Sequence, residues 1–266
     1  MSTSRGLRAP TIARAAAPVL LLVAAMAIPP FAAVATVILA GGAFVAARRD
    51  APVAWAWAAM VPATALATVR WISGVMPPVV MAACEPSGPP RVAWAVVEAV
   101  VVLGTFTALA VLLRTRRSSV GLRRPARRAV RNAALGFGAF AIGGLVAVSI
   151  LRGGLPGPAA GGSVVGYVLV VLLGAASIAL AEELAFRGVV QHWLARTTGE
   201  WTAVAVQGVA YGLWVAAVGW GPLVGILAVG AGLVAGVITM RTNSVLTVLA
   251  WHAGIAVPLF AVMVCP

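Results

Sequence analysis

From Ala15 to the C-terminus the chain alternates long apolar runs with short polar or proline-containing joints. The runs fall near 15–28, 31–47, 51–69, 92–113, 133–151, 164–186, 201–218, 223–240 and 245–263. Each is close to the about 17–25 residues that cross a bilayer as a helix. The pattern predicts an all-α, polytopic transmembrane helical bundle of about eight or nine spans. Pro29-Pro30 breaks the first stretch into two short spans joined by a tight turn; one tilted helix is the alternative. A cleaved signal ending near "FAAVA" fits less well, because the apolar run continues to Ala47. Gly208/Gly212 and Gly232/Gly236 have the small-xxx-small spacing that lets helices approach closely in lipid.

Composition leaves no room for a soluble domain: 62% of the 266 residues are hydrophobic and 9% are charged. The basic residues are all arginine, 19 against six acids, for a net charge of +13. That charge does not mark a nucleic-acid binder. Its largest cluster, "RTRRSSVGLRRPARRAVR" from Arg114 to Arg131, separates two apolar runs, as a cytoplasmic loop touching anionic lipid would. Threading the spans from a cytoplasmic N-terminus, which carries Arg5, Arg8 and Arg14, places Arg48, Arg49, Arg196 and Arg241 on the same side as this loop. Arg70, Arg91 and Arg152 are left as exceptions in outer loops, where Cys84 and Cys265 also fall. No metal-ligand spacing accompanies the two cysteines, which are expected to be unpaired thiols, a disulfide being the alternative. An alanine-, arginine- and glycine-rich chain without lysine suggests a bacterial plasma membrane protein.

Within this apolar background, "SIALAEELAFRGVV", residues 177–190, places Glu182, Glu183 and Arg187 where lipid is expected. On a helix Glu183 and Arg187 are one turn apart in the favourable order for pairing. Glu182 is rotated by about 100° and requires cavity water, a bound proton or a partner on another helix. An interfacial helix end is the competing explanation, since His192, Arg196, Thr197 and Thr198 follow. Glu98, alone in "AWAVVEAVVVLG", reads as a structural acid facing a packed interior or an arginine. His252, in "TNSVLTVLAWHAGIAVP", is the deep histidine available to meet Glu182.

"EELAFRG" resembles the E-E-x-x-x-R motif of the CPBP intramembrane proteases, which include the CAAX prenyl endopeptidases and bacteriocin-immunity-linked bacterial proteins. "GLRRP" is similar to a segment preceding the core of bacterial members, and "RTNSVLTVLAWHAGI" is similar to their last motif, with His252 at the histidine position. The resemblance covers roughly Ser118 to Ala256. It implies glutamate-dependent peptide-bond hydrolysis at the membrane: Glu182 activates water, Glu183 and Arg187 form a structural ion pair, and His252 helps hold the oxyanion. A membrane-associated protein or peptide would be the substrate, and membrane lipid the surroundings. The division implied is generic helices over 1–113, the arginine-rich loop over 114–132 and a protease-like core over 133–266.

The chain departs from that pattern in two places. "YGLWV" puts Tyr211 at the aromatic position and Val215 where the second-motif histidine belongs; "HAGIA" puts Ala256 where an amide or carboxylate belongs. Gln207, Tyr211 and Trp214 are the polar groups near enough in sequence to compensate. One histidine with a glutamate is too few ligands for a persuasive zinc site, so no cofactor is expected, a divalent metal such as zinc being the alternative. Two further readings stand beside the peptidase: a non-proteolytic scaffold or immunity-like protein of the same fold, and a small transporter using the charges as a relay, which more often shows an internal repeat.

Overall fold

The computed structural model describes residues 9–48, 51–73, 91–113, 127–154, 156 and 164–263. Arg5, Arg8, Cys84, Cys265 and the arginine loop from 114 to 126 lie outside them. Among the described residues the chain is helical, in the order α1 (Ala9–Ala27), α2 (Phe31–Ala47), α3 (Ala51–Ser73), α4 (Arg91–Leu112), α5 (Arg127–Arg152), α6 (Val164–Glu183), α7 (His192–Thr198), α8 (Glu200–Val215), α9 (Gly221–Thr242) and α10 (Leu246–Met263). The turn at Pro29-Pro30 separates α1 from α2, as the proline pair predicts. Four stretches are long and apolar enough to cross a membrane: Val53–Ile72, Arg127–Leu151, Val164–Thr198 and Gly221–Thr242. Shorter apolar helices accompany them, and the whole is a multi-pass membrane bundle.

Two features of this bundle position the site. First, α6 does not stop after the acidic pair. The helix widens to π-type hydrogen bonding over Leu184–Gln191 and runs on into α7, so the charged stretch is interior and no helix ends there. All eight residues of the widened segment are buried. Second, α9 packs along α8, whereas α10 packs on α5 and α6, so α9 and α10 diverge.

The close approach of α8 and α9 comes from the glycines. A Cβ at Gly212 would meet the Gly225 carbonyl at 2.6 Å, and one at Gly232 would meet the Gly208 Cα at 3.0 Å. The apolar core gathers α1 to α4 around the α6–α7 rod and α8, with Trp193 fully buried against Trp55 and Phe106. A smaller cluster ties α10 to α5 and α6 through Val257, Phe260 and Ala261.

Candidate active site

The acidic pair sits midway along the α6–α7 rod, and helices from both halves of the chain bring partners to it. From α3, Arg70 donates Nε to Glu98 Oε1 at 2.7 Å and Nη2 to Glu98 Oε2 at 2.9 Å, a two-pronged contact with α4. The same Nη2 reaches Glu182 Oε1 at 3.0 Å. Trp214 of α8 donates its indole N–H to that oxygen at 3.3 Å, and the Arg70 guanidinium lies over the Trp214 ring at 4.6 Å. Arg70 is only 6% exposed. Its expected place in an outer loop is therefore wrong: α3 extends to Ser73 and turns Arg70 inward, where two carboxylates compensate its burial.

Glu183 has different partners. Arg187 Nη1 donates to Glu183 Oε1 at 2.9 Å, the pair that the four-residue spacing allows. His252 Nδ1 meets the same oxygen at 2.8 Å. Because a carboxylate only accepts, this contact assigns the proton to Nδ1 and turns Nε2 towards Glu182 Oε2, 3.6 Å away. Two acceptors face one another across that gap when the imidazole is neutral, a separation longer than a direct hydrogen bond. A donor placed between them satisfies both. The cluster sets three carboxylates against two guanidiniums, so it carries one net negative charge with His252 neutral, and only a second ring proton on His252 balances it.

The charged floor opens into a cavity of about 620 Å³ whose walls are apolar side chains of α9 and α10. Leu227 and Val234 on α9 and Ile255 on α10 line it and are also exposed on the outside, so the cavity opens between the two diverging helices. Glu182, Glu183, Arg187, Tyr211 and His252 all line it, together with Arg70 and Glu98. Tyr211 packs its ring on the Arg187 guanidinium at 4.2 Å and against Phe186, a second contact that restrains Arg187 beside its pairing with Glu183. Val215 and Ala256 are cavity wall, apolar at the two positions where polar groups were sought.

Gln207 does not join the cluster. It is fully buried between α8 and α9, where its Nε2 donates to the carbonyls of Gly232 at 2.7 Å and Val204 at 3.1 Å. The amide serves the glycine-mediated helix contact, and the compensating role considered for it has no geometric basis. Trp214, by contrast, reaches Glu182 directly. Sequence reasoning missed Arg70 as a site residue; for Glu98 it left a packed interior or an arginine open, and the arginine is Arg70. Their signal was present: each is the lone deep charge of its span, with opposite sign, in helices adjacent in the chain.

The donor set does not suit a metal. Glu182 Oε1 is held by Arg70 and Trp214, the Tyr211 hydroxyl also donates to Glu182, and Glu183 Oε1 is held by Arg187 and His252 Nδ1, leaving at most Glu182 Oε2 and His252 Nε2 as cavity-facing ligands. Two ligands fall short of the three a catalytic zinc site requires. No grouping of three His, Cys, Asp or Glu side chains fit to hold an ion occurs among the described residues.

The profile of the type II CAAX prenyl endopeptidase Rce1-like family matches residues 164–257. These residues form an Rce1-like domain. No curated protein and no solved structure matches the chain. The Rce1-like domain spans α6 to most of α10 and contributes Glu182, Glu183, Arg187, Tyr211, Trp214 and His252. Arg70 and Glu98 come from α3 and α4, outside it.

Proposed function

We propose that the Rce1-like domain hydrolyses peptide bonds of membrane-associated polypeptides, with Glu182 and His252 as its water-activating pair. The observation that carries this reading is the facing of Glu182 Oε2 and His252 Nε2, 3.6 Å apart, at the floor of a membrane-facing cavity. A water hydrogen-bonded to both is oriented with a lone pair towards the cavity. Glu182 takes its proton as the oxygen attacks the carbonyl carbon. The C–N bond then breaks as the tetrahedral intermediate collapses, and Glu182 returns the proton to the departing amine. With Nε2 accepting from the water and the proton on Glu182, His252 stays neutral, so a neighbouring cavity donor such as the Tyr211 hydroxyl stabilises the oxyanion, a role that Val215 and Ala256 cannot share. A slow enzyme is the consequence, since each lost base or oxyanion donor costs about 100-fold.

The substrate enters from the side, between α9 and α10, and the apolar walls suit a hydrophobic segment or chain. The arginine distribution favours a bacterial plasma membrane with a cytoplasmic N-terminus. A second reading is a non-proteolytic scaffold, favoured by the hold of Arg70 on Glu182 and by the apolar Val215 and Ala256.

The deciding experiment compares purified wild type and Glu182→Ala on a library of membrane-proximal peptides, with a family member carrying intact motifs as the positive control. Cleavage by the wild type that falls at least about 100-fold in the variant supports the peptidase. Equal inertness of both, on a library the control cuts, transfers the assignment to the scaffold.

A further inference from the structure

Arg70 is unexplained by stability alone. A buried ion pair is commonly no more stabilising than apolar side chains of the same volume, so a guanidinium shared by two carboxylates in a membrane bundle points to a task beyond cohesion. The division of its contacts indicates the task. Glu98 takes both Nε and Nη2, which fixes the guanidinium plane. Trp214 stacks on that plane, so the group has little freedom left. Its Nη2 also donates to one oxygen of Glu182, the same oxygen that accepts from Trp214. The other oxygen is thereby left facing His252.

We propose that Arg70 is a positioning residue: anchored by Glu98, it holds Glu182 by Oε1 so that Oε2 stays turned to His252 and the cavity. The Rce1-like domain alone does not contain this clamp, which α3 and α4 of the N-terminal half supply. A planar fork is required, because a lysine ammonium lacks the fixed geometry to engage both Glu98 oxygens and Glu182 together. The clamp rests on the peptidase reading only for its effect on turnover; its effect on the carboxylate is independent of it.

The test uses Arg70→Met/Glu98→Met, which removes both charges together and leaves none of that pair unpaired, with Arg70→Lys as a second variant that keeps the charge but not the fork. Two readouts are taken on full-length protein. The first is modification of Glu182 by dicyclohexylcarbodiimide, an apolar reagent for protonated carboxyls in membranes, read by peptide mass spectrometry. Glu182 is expected to be protected in wild type and modified in the double variant, while Glu183, held by Arg187 and His252, stays protected in both. The second is turnover, where kcat falls about 100-fold with KM unchanged, as for a misplaced reacting group, and Arg70→Lys recovers part of it. Equal modification of Glu182 in wild type and both variants overturns the clamp, whatever the activity. Increased modification with unchanged kcat also overturns it, as a tie between helices without a positioning role. Increased modification in a protein whose wild type cuts nothing removes the peptidase reading and reduces Arg70 to a partner that keeps Glu182 ionised, which overturns its positioning role.

Discussion

Glu183 Oε1 accepts from Arg187 and meets His252 Nδ1, so a single atom carries the ion pair and sets the face that the imidazole turns to the cavity. Removing Arg187 leaves a carboxylate that is almost wholly buried without its counter-ion. Arg187→Met is expected to cost about 3–5 kcal/mol of stability, the range for breaking a buried pair from one side. Thermal unfolding in detergent measures it. The pair was legible in the four-residue spacing. The meeting of His252 with Glu183 was not, because sequence places a deep histidine on a helix without saying which of two adjacent carboxylates its ring nitrogens will address. The sequence reading sent His252 to Glu182; the shorter contact is to Glu183, with Glu182 reached by the other nitrogen at 3.6 Å.

At the scale of elements, the α8–α9 contact depends on backbone approach at glycines, with Gln207 bonded to the Gly232 carbonyl beside them. A methyl group at Gly212 has no space against the Gly225 carbonyl. Gly212→Ala is expected to destabilise by about 1–3 kcal/mol, the usual range for overpacking. Gly230→Ala, on the same helix pair but with open space around its Cβ, is expected to be neutral within error. Melting curves of the two variants in one detergent make the comparison. The small-xxx-small spacing pointed to this interface. What it could not reveal is that Gln207 belongs to the interface: at the resolution of sequence, one turn before Tyr211, it has the same face as the cavity residues.

For the whole molecule, the inward turn of Arg70 removes one of three exceptions from the arginine asymmetry, since a buried, carboxylate-bonded guanidinium is no loop charge. The orientation with a cytoplasmic N-terminus makes a direct prediction. In intact cells treated with a mild reductant, a membrane-impermeant maleimide should label Cys84 and Cys265, and should not label a cysteine introduced at Ser118 until the membrane is opened. The reverse pattern inverts the topology. The divergence of α9 from α10 is also a whole-molecule property: α9 follows the glycines of α8, α10 follows the aromatic and proline contacts of α5 and α6, and the cavity is what their different allegiances leave between them.

The sequence by itself determined the class of the protein, because the length and apolarity of its runs permit helices that satisfy their own backbone in lipid. It also determined the local chemistry of the acidic helix, since residues one turn apart meet in any helix. The tertiary structure decided which charges share a site. Arg70 and Glu182 are separated by 112 positions, and their contact depends on how α3 and α4 pack against the α6–α7 rod. Helical periodicity within one span carries no information about the rotation of another, so the clamp on Glu182 and the cavity beside it came only from the packed bundle.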